Sequence, residues 1–502
     1  MESLNPSSPF LSSPMVDAAA STIAAISTPA GVGGIAVVRL SGPDALRIAD
    51  SVWHGRRLSE VASHTAHLGE IIDSDGSMLD QAVATVFAAG RSFTGEATVE
   101  FSVHGSKWIQ NRVVSRLIEA GASPAKAGEF TLRAVRNGRI DLAQAEGIAD
   151  MIAASSKAAQ RLAATQMKGT FSRHLDSLRQ QMVDMASLLE LELDFSEEDV
   201  EFADRSHLAS LCDTAIAQID SLAATFKAGK ALKEGVATVI AGRPNAGKST
   251  LLNLLLGDDK AIVSDIPGTT RDVIEDTAEI NGILFRFIDT AGLRDTSDSI
   301  EQIGVDRARR QISAADILLW VVDPTDPEGI APQLAEFADT LRSLPNAPHS
   351  LLLFNKSDLG AVASSESESA KTASSDGENL SIAVPESAQT KLPDGESISI
   401  DLNAIPRISI SAADGSGIDR LTAHLTTLAE EGCDPAADII VTNLRHYEAL
   451  RLTSDALHRV ADLLPTDLPT DLIAQDLREA THYLGTITGA VTPADLLQTI
   501  FS

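Results

Sequence analysis

The stretch that decides the fold of the middle of the chain reads Gly242-Arg-Pro-Asn-Ala-Gly-Lys-Ser249. It lies between the apolar run 236–241, which has the pattern of a buried strand, and the helix-forming run 250–256. In such a strand–turn–helix unit, the backbone N–H groups and the positive end of the helix surround the phosphates of a nucleotide. We therefore predict a phosphate loop in which Lys248 reaches the β- and γ-phosphates and Ser249 binds Mg²⁺. A chance match or a purely structural turn is the alternative.

A second motif follows the apolar run 285–288 and reads Asp289-Thr-Ala-Gly292. This is the D-x-x-G form expected beside a γ-phosphate, where the aspartate can hold a Mg²⁺-bound water and the glycine N–H can sense the phosphate.

Two later motifs indicate which base is bound. Asn355-Lys-Ser-Asp358 follows the apolar run 351–354, and Ser411-Ala-Ala413 follows the run 408–410. The Asp358 carboxylate can accept both N1–H and the 2-amino group of guanine, a pattern that adenine does not offer. Four ordered motifs, each at the end of a strand, predict a GTPase domain.

The predicted hydrolytic machinery differs from that of signalling GTPases, because Leu293 stands where a glutamine would orient the attacking water. Glu301 is the candidate to replace it, since a carboxylate can polarise water. A glutamate in a solvated loop is the alternative.

No arginine finger is evident, and a monovalent cation could supply the missing charge. Asn245 is a suitable neutral ligand, the 264–272 loop can add carbonyl oxygens, and Thr270 can bind Mg²⁺.

The predicted GTP-binding residues come from the four motifs and from the 264–272 loop. They are Asn245, Ala246, Gly247, Lys248, Ser249, Thr250, Ser264, Asp265, Ile266, Pro267, Gly268, Thr269, Thr270, Asp289, Thr290, Ala291, Gly292, Asn355, Lys356, Asp358, Ser411, Ala412 and Ala413.

The sequence resembles the MnmE (TrmE) family of tRNA-modification GTPases. In the GTPase part the resemblance rests on Asn245, Gly268-Thr-Thr-Arg-Asp272, Asp289-Thr-Ala-Gly-Leu-Arg294 and Glu301-Gln-Ile-Gly304. Outside that part, it rests on the opening 22–42, on Ser92-Phe-Thr-Gly-Glu96, Glu100 and His104-Gly105, and on the block 128–146. The block from Gly128 to Glu146 is the most specific of these matches.

The resemblance implies cofactors and roles for particular residues. Potassium would be held by Asn245, Ser264, Ile266 and Thr269, and Mg²⁺ by Ser249 and Thr270, with Glu301 as the catalytic glutamate. A 5-formyl- or 5,10-methylene-tetrahydrofolate would be bound by Arg39, Glu100 and Arg139, the last of which is usually lysine in the family. Pairing of a carboxylate with pterin donor groups makes this assignment chemically sensible.

The resemblance also implies a multidomain α/β fold. An extension expected to be disordered (1–21) would precede an N-terminal α+β folate-binding and dimerisation domain (22–140). A P-loop, Ras-like GTPase domain (235–430), with a flexible polar insertion at about 360–403, would be inserted into an all-α helical domain (141–234 and 431–502). The helix-like apolar spacing of residues 182–193, and of the segment opened by Thr442, agrees with this helical domain.

The expected partners follow from the same resemblance and from charge. The formal net charge of −30 argues against tRNA binding driven by the chain's own field, so a basic partner or a local patch should contribute. The family works as a homodimer and, with the FAD-containing MnmG as a heterotetramer, adds an aminomethyl or carboxymethylaminomethyl group at C5 of the wobble uridine. No run approaches the ~20 apolar residues that cross a bilayer, and we expect a cytoplasmic location without membrane binding.

Family sequences usually continue past Ile-Phe-Ser with a tail that carries a cysteine implicated in the modification, whereas the sequence here ends at Ser502. Two interpretations stay open: the chemistry does not need this thiol, or the chain is incomplete or altered in function. We expect GTP hydrolysis with poor modification. The alternative function is a GTP-driven ribosome-assembly or regulatory switch. The two cysteines, Cys212 and Cys433, are expected to be structural, and His104 is expected to be a structural hydrogen-bonding histidine rather than a catalytic one.

Overall fold

The structure is a computed structural model that describes residues 21–194, 205–257, 275–289, 309–359, 404–431, 439–466 and 470–490. The predicted terminal extension (except Ser21) and the predicted polar insertion lie outside these ranges. The described chain forms two compact units. The first contains residues up to 148 together with 167–180 and 484–490, and the second contains 149–166 and 181–483.

A seven-stranded sheet dominates the first unit. Its strands are β1 (Ile23–Ile26), β2 (Ile35–Ser41), β3 (Trp53–His54), β4 (Thr65–Ile72), β5 (Met78–Phe87), β6 (Thr98–His104) and β7 (Ser123–Pro124). The strand order is β3-β4-β5-β6-β2-β1-β7, and every pair is antiparallel except β1 with β7. This sheet with its helices agrees with the α+β domain that the sequence predicts.

Only one face of this sheet carries the apolar core. Alternate residues of β2 and β6, such as Val38 and Phe101, are fully buried against helices α1 (Ala45–Val52) and α2 (Lys107–Glu119). The residues between them point to the opposite face, where Ile35 on β2 is 71% exposed and Leu68 on β4 is 69% exposed. The alternation follows from the two-residue period of a strand. Among the described residues, therefore, no apolar core covers the second face, which is called the open face.

Arg133 anchors the segment that follows this sheet. It lies on helix α3 (Glu129–Arg136) and is almost completely buried. Its guanidinium donates to the carboxylates of Glu96 (3.2 Å) and Glu129 (2.9 Å) and to the backbone carbonyl of Ser21 (2.7 Å). A buried charge needs such partners to offset its loss of water.

The second unit contains a six-stranded sheet. Its strands are β8 (Val236–Gly242), β9 (Glu275–Ile280), β10 (Ile283–Asp289), β11 (Ile317–Val322), β12 (His349–Phe354) and β13 (Arg407–Ser409). The order is β13-β12-β11-β8-β10-β9, and only β9 runs antiparallel to its neighbour. Apolar clusters cover both faces, so β11 is buried at every position. A continuous apolar run is typical of a parallel strand that is covered on both sides.

Helices flank this sheet and complete the α/β arrangement. They are α9 (Lys248–Leu256), α10 (Ile330–Arg342) and α11 (Ile418–Glu430). Parallel strands require crossover connections, which α9 and α10 provide within the described ranges. The carboxyl ends of β8, β10, β11, β12 and β13 lie along one edge, where ligands bind in open α/β sheets.

Further helices precede and follow the segment that forms this sheet. They are α4 (Leu142–Ala153), α5 (Lys157–Met167), α6 (Thr170–Asp194), α7 (Arg205–Ala224) and α8 (Phe226–Glu234) before it, and α12 (Leu444–Leu463) and α13 (Thr470–Thr488) after it. Asn443 caps α12 by accepting a hydrogen bond from the backbone N–H of Arg445. Helices make up most of the described residues of the two stretches in which the sequence predicts them.

The helices before and after the sheet-forming segment pack together. Helix α7 lies against α12, where the Cys212 thiol donates to the carbonyl of Leu457 (3.4 Å). At the end of α7, the hydroxyl of Thr225 accepts a hydrogen bond from the backbone N–H of Val441 (3.0 Å). The chain therefore leaves this helix pair and returns to it at nearly one point. Among the described residues, no helix combines the length and apolarity that a membrane span requires.

Candidate functional site

The phosphate loop begins at the end of β8 and leads into α9, as the sequence predicts. Its first and last glycines, Gly242 and Gly247, both have positive φ angles. A Cβ atom at Gly242 would overlap the carbonyl of Val321 on β11, and one at Gly247 would overlap the amide of Asn355. Glycine is therefore required at both ends for the loop to pass this close to its neighbours.

Lys248 lies inside the loop. Its ammonium donates to the backbone carbonyls of Gly242 (3.0 Å) and Arg243 (2.8 Å), and the side chain is almost fully buried. The ammonium thus lies at the centre of the loop, beside the N-terminus of α9. This arrangement provides the positive charge and the N–H groups that bind a phosphate chain.

Asn245 forms the exposed tip of the same loop with φ of 62°, in the left-handed region. Non-glycine residues in this region are uncommon, and they cluster at functional sites. Its exposure leaves the side-chain oxygen accessible to a cation. The other predicted potassium ligands, Ser264, Ile266 and Thr269, lie outside the described residues, as does Thr270.

Strand β10 carries the second motif to the phosphate loop. Asp289 at its end is in register with Ile240 on the neighbouring strand β8, two residues before Gly242. Because the two strands are parallel, their carboxyl ends meet at one edge of the sheet. The remaining residues of the motif, Thr290 to Gly292, and the predicted catalytic Glu301 lie outside the described residues.

Asn355 joins the phosphate loop to the two base-binding loops. It is 2% exposed, its amide nitrogen donates to the carbonyl of Ala246 (2.8 Å), and its amide oxygen accepts the backbone N–H of Ala412 (2.9 Å). One buried side chain thus connects three predicted motifs. A buried, fully paired amide of this kind fixes the relative positions of the loops.

Asp358 lies exposed at the base-binding edge, where its Oδ1 accepts the hydroxyl of Ser411 (2.7 Å). This hydrogen bond orients the carboxylate while the group stays accessible. The structure therefore brings together Asp358 and the 411–413 loop as the sequence predicts, in a geometry that suits recognition of two guanine N–H groups.

One group in this region was not predicted from the sequence. Asp323 follows β11 directly, and its carboxylate pairs with the ammonium of Lys356 (2.5 Å). An aspartate at the carboxyl end of a buried strand was a usable signal, since ligands bind at that edge. Its pairing with a residue 33 positions later could not be read from the sequence pattern.

Arg243, the second residue of the phosphate loop, was also not assigned. Its guanidinium contacts three carboxylates, those of Asp326 (3.3 Å), Glu328 (2.6 Å) and Glu336 (2.5 Å). These carboxylates raise the pKa of the Arg243 guanidinium above its usual range, chiefly through the hydrogen bonds that it donates first to Glu336 and then to Glu328. This arginine is engaged by protein groups and does not act as an internal arginine finger in this arrangement.

The predicted folate residues lie in the first unit. Arg39 on β2 and Glu100 on β6 are cross-strand neighbours joined by an ion pair of 2.8 Å. The Arg39 guanidinium also lies over the rings of Phe93 (5.6 Å) and Phe130 (5.3 Å). Arg139 is exposed, with its side chain beside Gly95. Two aromatic rings and a carboxylate–guanidinium pair form a surface suited to a flat heterocycle with polar edges.

The described cysteine and the histidine have structural surroundings. Cys212 is fully buried, and burial, with a smaller effect from Asp213, raises the pKa of its thiol to about 11. His104 pairs with the buried carboxylate of Asp80 through its ring Nδ1 (2.7 Å) and its backbone N–H (2.8 Å). Both arrangements agree with the structural roles expected from the sequence. Cys433 lies outside the described residues.

Comparison with known proteins identifies relatives over nearly the whole chain. The model of the MnmE helical domain matches residues 142–502, and that of the GTP-binding protein TrmE N-terminus matches residues 22–139. The tRNA modification GTPase MnmE of Cytophaga hutchinsonii is 43% identical over 96% of each chain. The MnmE proteins of Parabacteroides distasonis and Salinibacter ruber are 44% and 43% identical, over 96% of this chain and 98% of theirs. The chain therefore belongs to the MnmE family of tRNA modification GTPases.

Proposed function

We propose that this chain binds GTP with Mg²⁺ and hydrolyses it in a potassium-activated reaction that serves tRNA modification. The observation that carries the proposal is the Asn355 connection, because it holds the phosphate loop and the base loops in one arrangement. A phosphate site and a guanine site at a fixed separation select one ligand class, the guanine nucleotides.

Each loop has a defined part in this proposal. Lys248 and the α9 N-terminus bind the phosphates, and Asp358 accepts the guanine N–H groups. Ser249 and Thr270 would hold Mg²⁺, while Asn245, Ser264, Ile266 and Thr269 would hold potassium; the two cations supply positive charge at the transferred phosphoryl group. Glu301 orients and polarises the attacking water.

The cation requirement can be tested directly. GTP hydrolysis should be faster in potassium than in sodium, because a cage of neutral oxygens built for the larger ion fits the smaller one poorly. Asn245→Ala should abolish this difference and leave GTP affinity nearly unchanged. Equal rates of the parent chain in the two salts would contradict potassium activation without affecting the assignment of the nucleotide site.

The role of Glu301 has a separate test. Glu301→Ala should lower the hydrolysis rate by roughly 10²–10⁴-fold, as loss of a proton-transferring or water-positioning group does, with little change in GTP binding. Glu301→Gln serves as the matched variant that keeps size and removes charge. A rate within about twofold of the parent would return Glu301 to the interpretation as a solvated loop residue.

For the N-terminal domain we propose folate binding and dimerisation. Arg39, Glu100 and Arg139 would bind a 5-formyl- or 5,10-methylene-tetrahydrofolate, supported by the ion pair and the two phenyl rings around Arg39. The exposed apolar residues Ile35 and Leu68 on the open face of the sheet support a homodimer, since a second copy of the chain would cover them.

We further propose that the chain forms a heterotetramer with MnmG in the cytoplasm and modifies the wobble uridine of certain tRNAs. The family name supports the tRNA substrate, and the net charge of −30 supports a partner that supplies part of the RNA contact. Analysis of wobble uridines from cells that lack this chain tests the proposal. Unchanged nucleosides would contradict it.

For the domain division, we propose an N-terminal domain of residues 22–140, a helical domain of residues 141–234 and 431–502, and a GTPase domain of residues 235–430.

A further inference from the structure

The loop between β11 and α10, residues 323–329, carries three carboxylates and is named the acidic loop. It contacts both the phosphate loop and the base-binding loop that contains Lys356. At its start, Asp323 is 8% exposed and pairs through Oδ2 with the Lys356 ammonium at 2.5 Å. Its other oxygen, Oδ1, accepts the backbone N–H (2.9 Å) and the hydroxyl (2.7 Å) of Thr325. Both carboxylate oxygens are thus committed, and the geometry of the pair is fixed.

The electrostatics of Asp323 agree with a stable ion pair. Burial acts to raise the pKa of Asp323, but the hydrogen bonds from Lys356 and Thr325 outweigh it and hold the pKa below its usual range. The carboxylate is therefore charged at neutral pH, as an ion pair with the Lys356 ammonium requires.

The backbone of Asp323 is fixed by a second buried group. Gln333 on α10 is 1% exposed; its amide oxygen accepts the Asp323 N–H (2.9 Å) and its amide nitrogen donates to the Asp323 carbonyl (2.8 Å). The same nitrogen also donates to the carbonyl of Gly329 (3.1 Å). The start and the end of the acidic loop are therefore held by one side chain. A pre-organised support of this kind positions a functional group without a further entropy cost on ligand binding.

Lys356 needs such a support. Its φ of 64° is in the left-handed region, which is strained for a non-glycine residue and persists only where the surroundings impose it. It stands between the buried Asn355 and the base-recognising Asp358. A change in the backbone at Lys356 would therefore move the Asp358 carboxylate relative to Asn355, whose hydrogen bonds hold the phosphate loop and the 411–413 loop.

The other side of the acidic loop contacts the phosphate loop. Asp326 and Glu328 both pair with Nη1 of Arg243, which is the second residue of the phosphate loop. The acidic loop thus spans from the phosphate loop to the base loop by charged contacts. The Asn355 connection spans the same two loops by neutral hydrogen bonds.

We propose that Asp323 is a positioning residue for guanine-nucleotide binding, which acts through Lys356 to hold the base loop in its binding conformation and so slows nucleotide dissociation. This inference rests on the proposed GTP site. The alternative is an ion pair with a purely structural role. Although Asp323 is buried, the Lys356 side chain is 30% exposed, so water screens the pair and limits its contribution to overall stability. A large effect on nucleotide dissociation with a small effect on folding therefore separates the two.

The test uses Asp323→Asn in the full chain, with a fluorescent GDP analogue as the probe. The dissociation rate should rise about 10- to 50-fold, and KM for GTP should rise correspondingly, while kcat at saturating GTP stays within about twofold, as expected for an interaction shared by ground and transition states. Asp339→Asn is the matched control: it removes an exposed carboxylate of α10 that pairs with Arg342, three residues later on the same helix. It should leave the dissociation rate unchanged.

A double-mutant cycle tests the route through Lys356. In a Lys356→Met background, the effect of Asp323→Asn on dissociation should largely disappear, because the partner through which it acts is gone. Thr325→Val provides a milder variant for the case in which Asp323→Asn does not fold. It removes one hydrogen bond to the carboxylate while keeping the side-chain shape, and should speed dissociation about 2- to 5-fold.

Three results would overturn the inference. The first is a dissociation rate for Asp323→Asn within about twofold of the parent, or for Thr325→Val if the former does not fold. The second is an undiminished effect in the Lys356→Met background, which would place the action elsewhere. The third is a parent chain that binds ADP as tightly as GDP, which would refute the proposed guanine site together with this inference. A parent that prefers GDP combined with an inert Asp323→Asn would refute the inference alone.

Discussion

The two sheets of this chain differ in how much of their surface the chain itself covers. Strand β11 of the six-stranded sheet is buried at every position, whereas β2 of the seven-stranded sheet alternates between buried and accessible residues. The six-stranded sheet therefore has apolar clusters on both faces, and its proposed site is built from loops at one edge. The seven-stranded sheet has an apolar core on one face only, and its proposed folate residues Arg39 and Glu100 lie on the other face. The difference suggests that the nucleotide site depends on this sheet alone, whereas the proposed folate site borders the uncovered face.

The largest expected effect tests whether the nucleotide site is self-contained. Asp358→Asn should lower GTP affinity by about 10⁴-fold, because the two N–H groups of guanine would lose the carboxylate that accepts both of them, and should allow xanthosine triphosphate to bind instead. The measurement is equilibrium binding of both nucleotides. Asp419→Asn, an exposed carboxylate at the start of α11, is the control. An unchanged guanine-over-xanthine preference would show that specificity is not set by this loop.

The next effect concerns the stability of the seven-stranded half. Arg133→Met leaves the carboxylates of Glu96 and Glu129 without their buried partner, and breaking such a pair costs about 3–5 kcal/mol. Chemical denaturation followed by the fluorescence of Trp53, which packs against Phe101 in this core, measures the loss. A Trp108→Phe, Trp320→Phe background removes the other two tryptophans. GTP binding should persist in the variant.

The control for this experiment is Arg47→Met, which removes an exposed pair with Asp44 and should change stability little. Equal losses in the two variants would show that the burial of Arg133 does not determine its contribution. Simultaneous loss of GTP binding by Arg133→Met would show that the two halves depend on each other for folding.

A smaller effect is expected at the open sheet face. Leu68→Asp should weaken dimerisation by about 10- to 100-fold, since burying one leucine is worth about 1.5–3 kcal/mol. Sedimentation equilibrium gives the dissociation constant. Ile152→Asp, on α4 and also strongly exposed, is the matched control outside this sheet. Dimers of unchanged affinity in Leu68→Asp would mean that this face is not the dimer surface.

The smallest expected effect concerns the accessibility of the buried Cys212 thiol on α7, measured as its rate of labelling. In a Cys433→Ser background, the Cys212 thiol should react with a maleimide at pH 8 only after unfolding, because burial raises its pKa to about 11. The stability that this group contributes is present below its unfolded pKa of about 9 and declines as pH rises toward 11, since the unfolded thiol ionises first. Rapid labelling of the folded chain would contradict this.

The sequence predicted the elements of the nucleotide site better than their connections. The strands around 236–241, 285–288 and 351–354 and the glycine-rich turn are local patterns, and the structure contains all of them. The pairing of Asp323 with Lys356, and of Arg243 with its three carboxylates, joins residues 33 to 93 positions apart. Such pairs depend on the order of the strands in the sheet, which apolar periodicity does not determine.

The same limit applies to the first unit. The resemblance identified Arg39 and Glu100, but the cross-strand register that makes them neighbours, and the rings of Phe93 and Phe130 beside them, follow from the sheet. For Asn355 the motif indicated a nucleotide loop. Its burial and its bonds to two other loops became visible only when three distant segments met at one edge.

The hydrogen bond between Thr225 and Val441 has an implication for protein engineering. Thr225 and Val441 mark the two ends of the segment between α7 and α12, and the Thr225 Oγ1 and Val441 N atoms are 3.0 Å apart. The two ends of this segment are therefore close together in space. Segments whose ends lie this close tolerate excision, replacement and circular permutation, because a short linker can join the ends without strain. A different domain could accordingly be inserted between α7 and α12 in place of the present segment. The excised segment could be circularly permuted, with new termini in one of its surface loops.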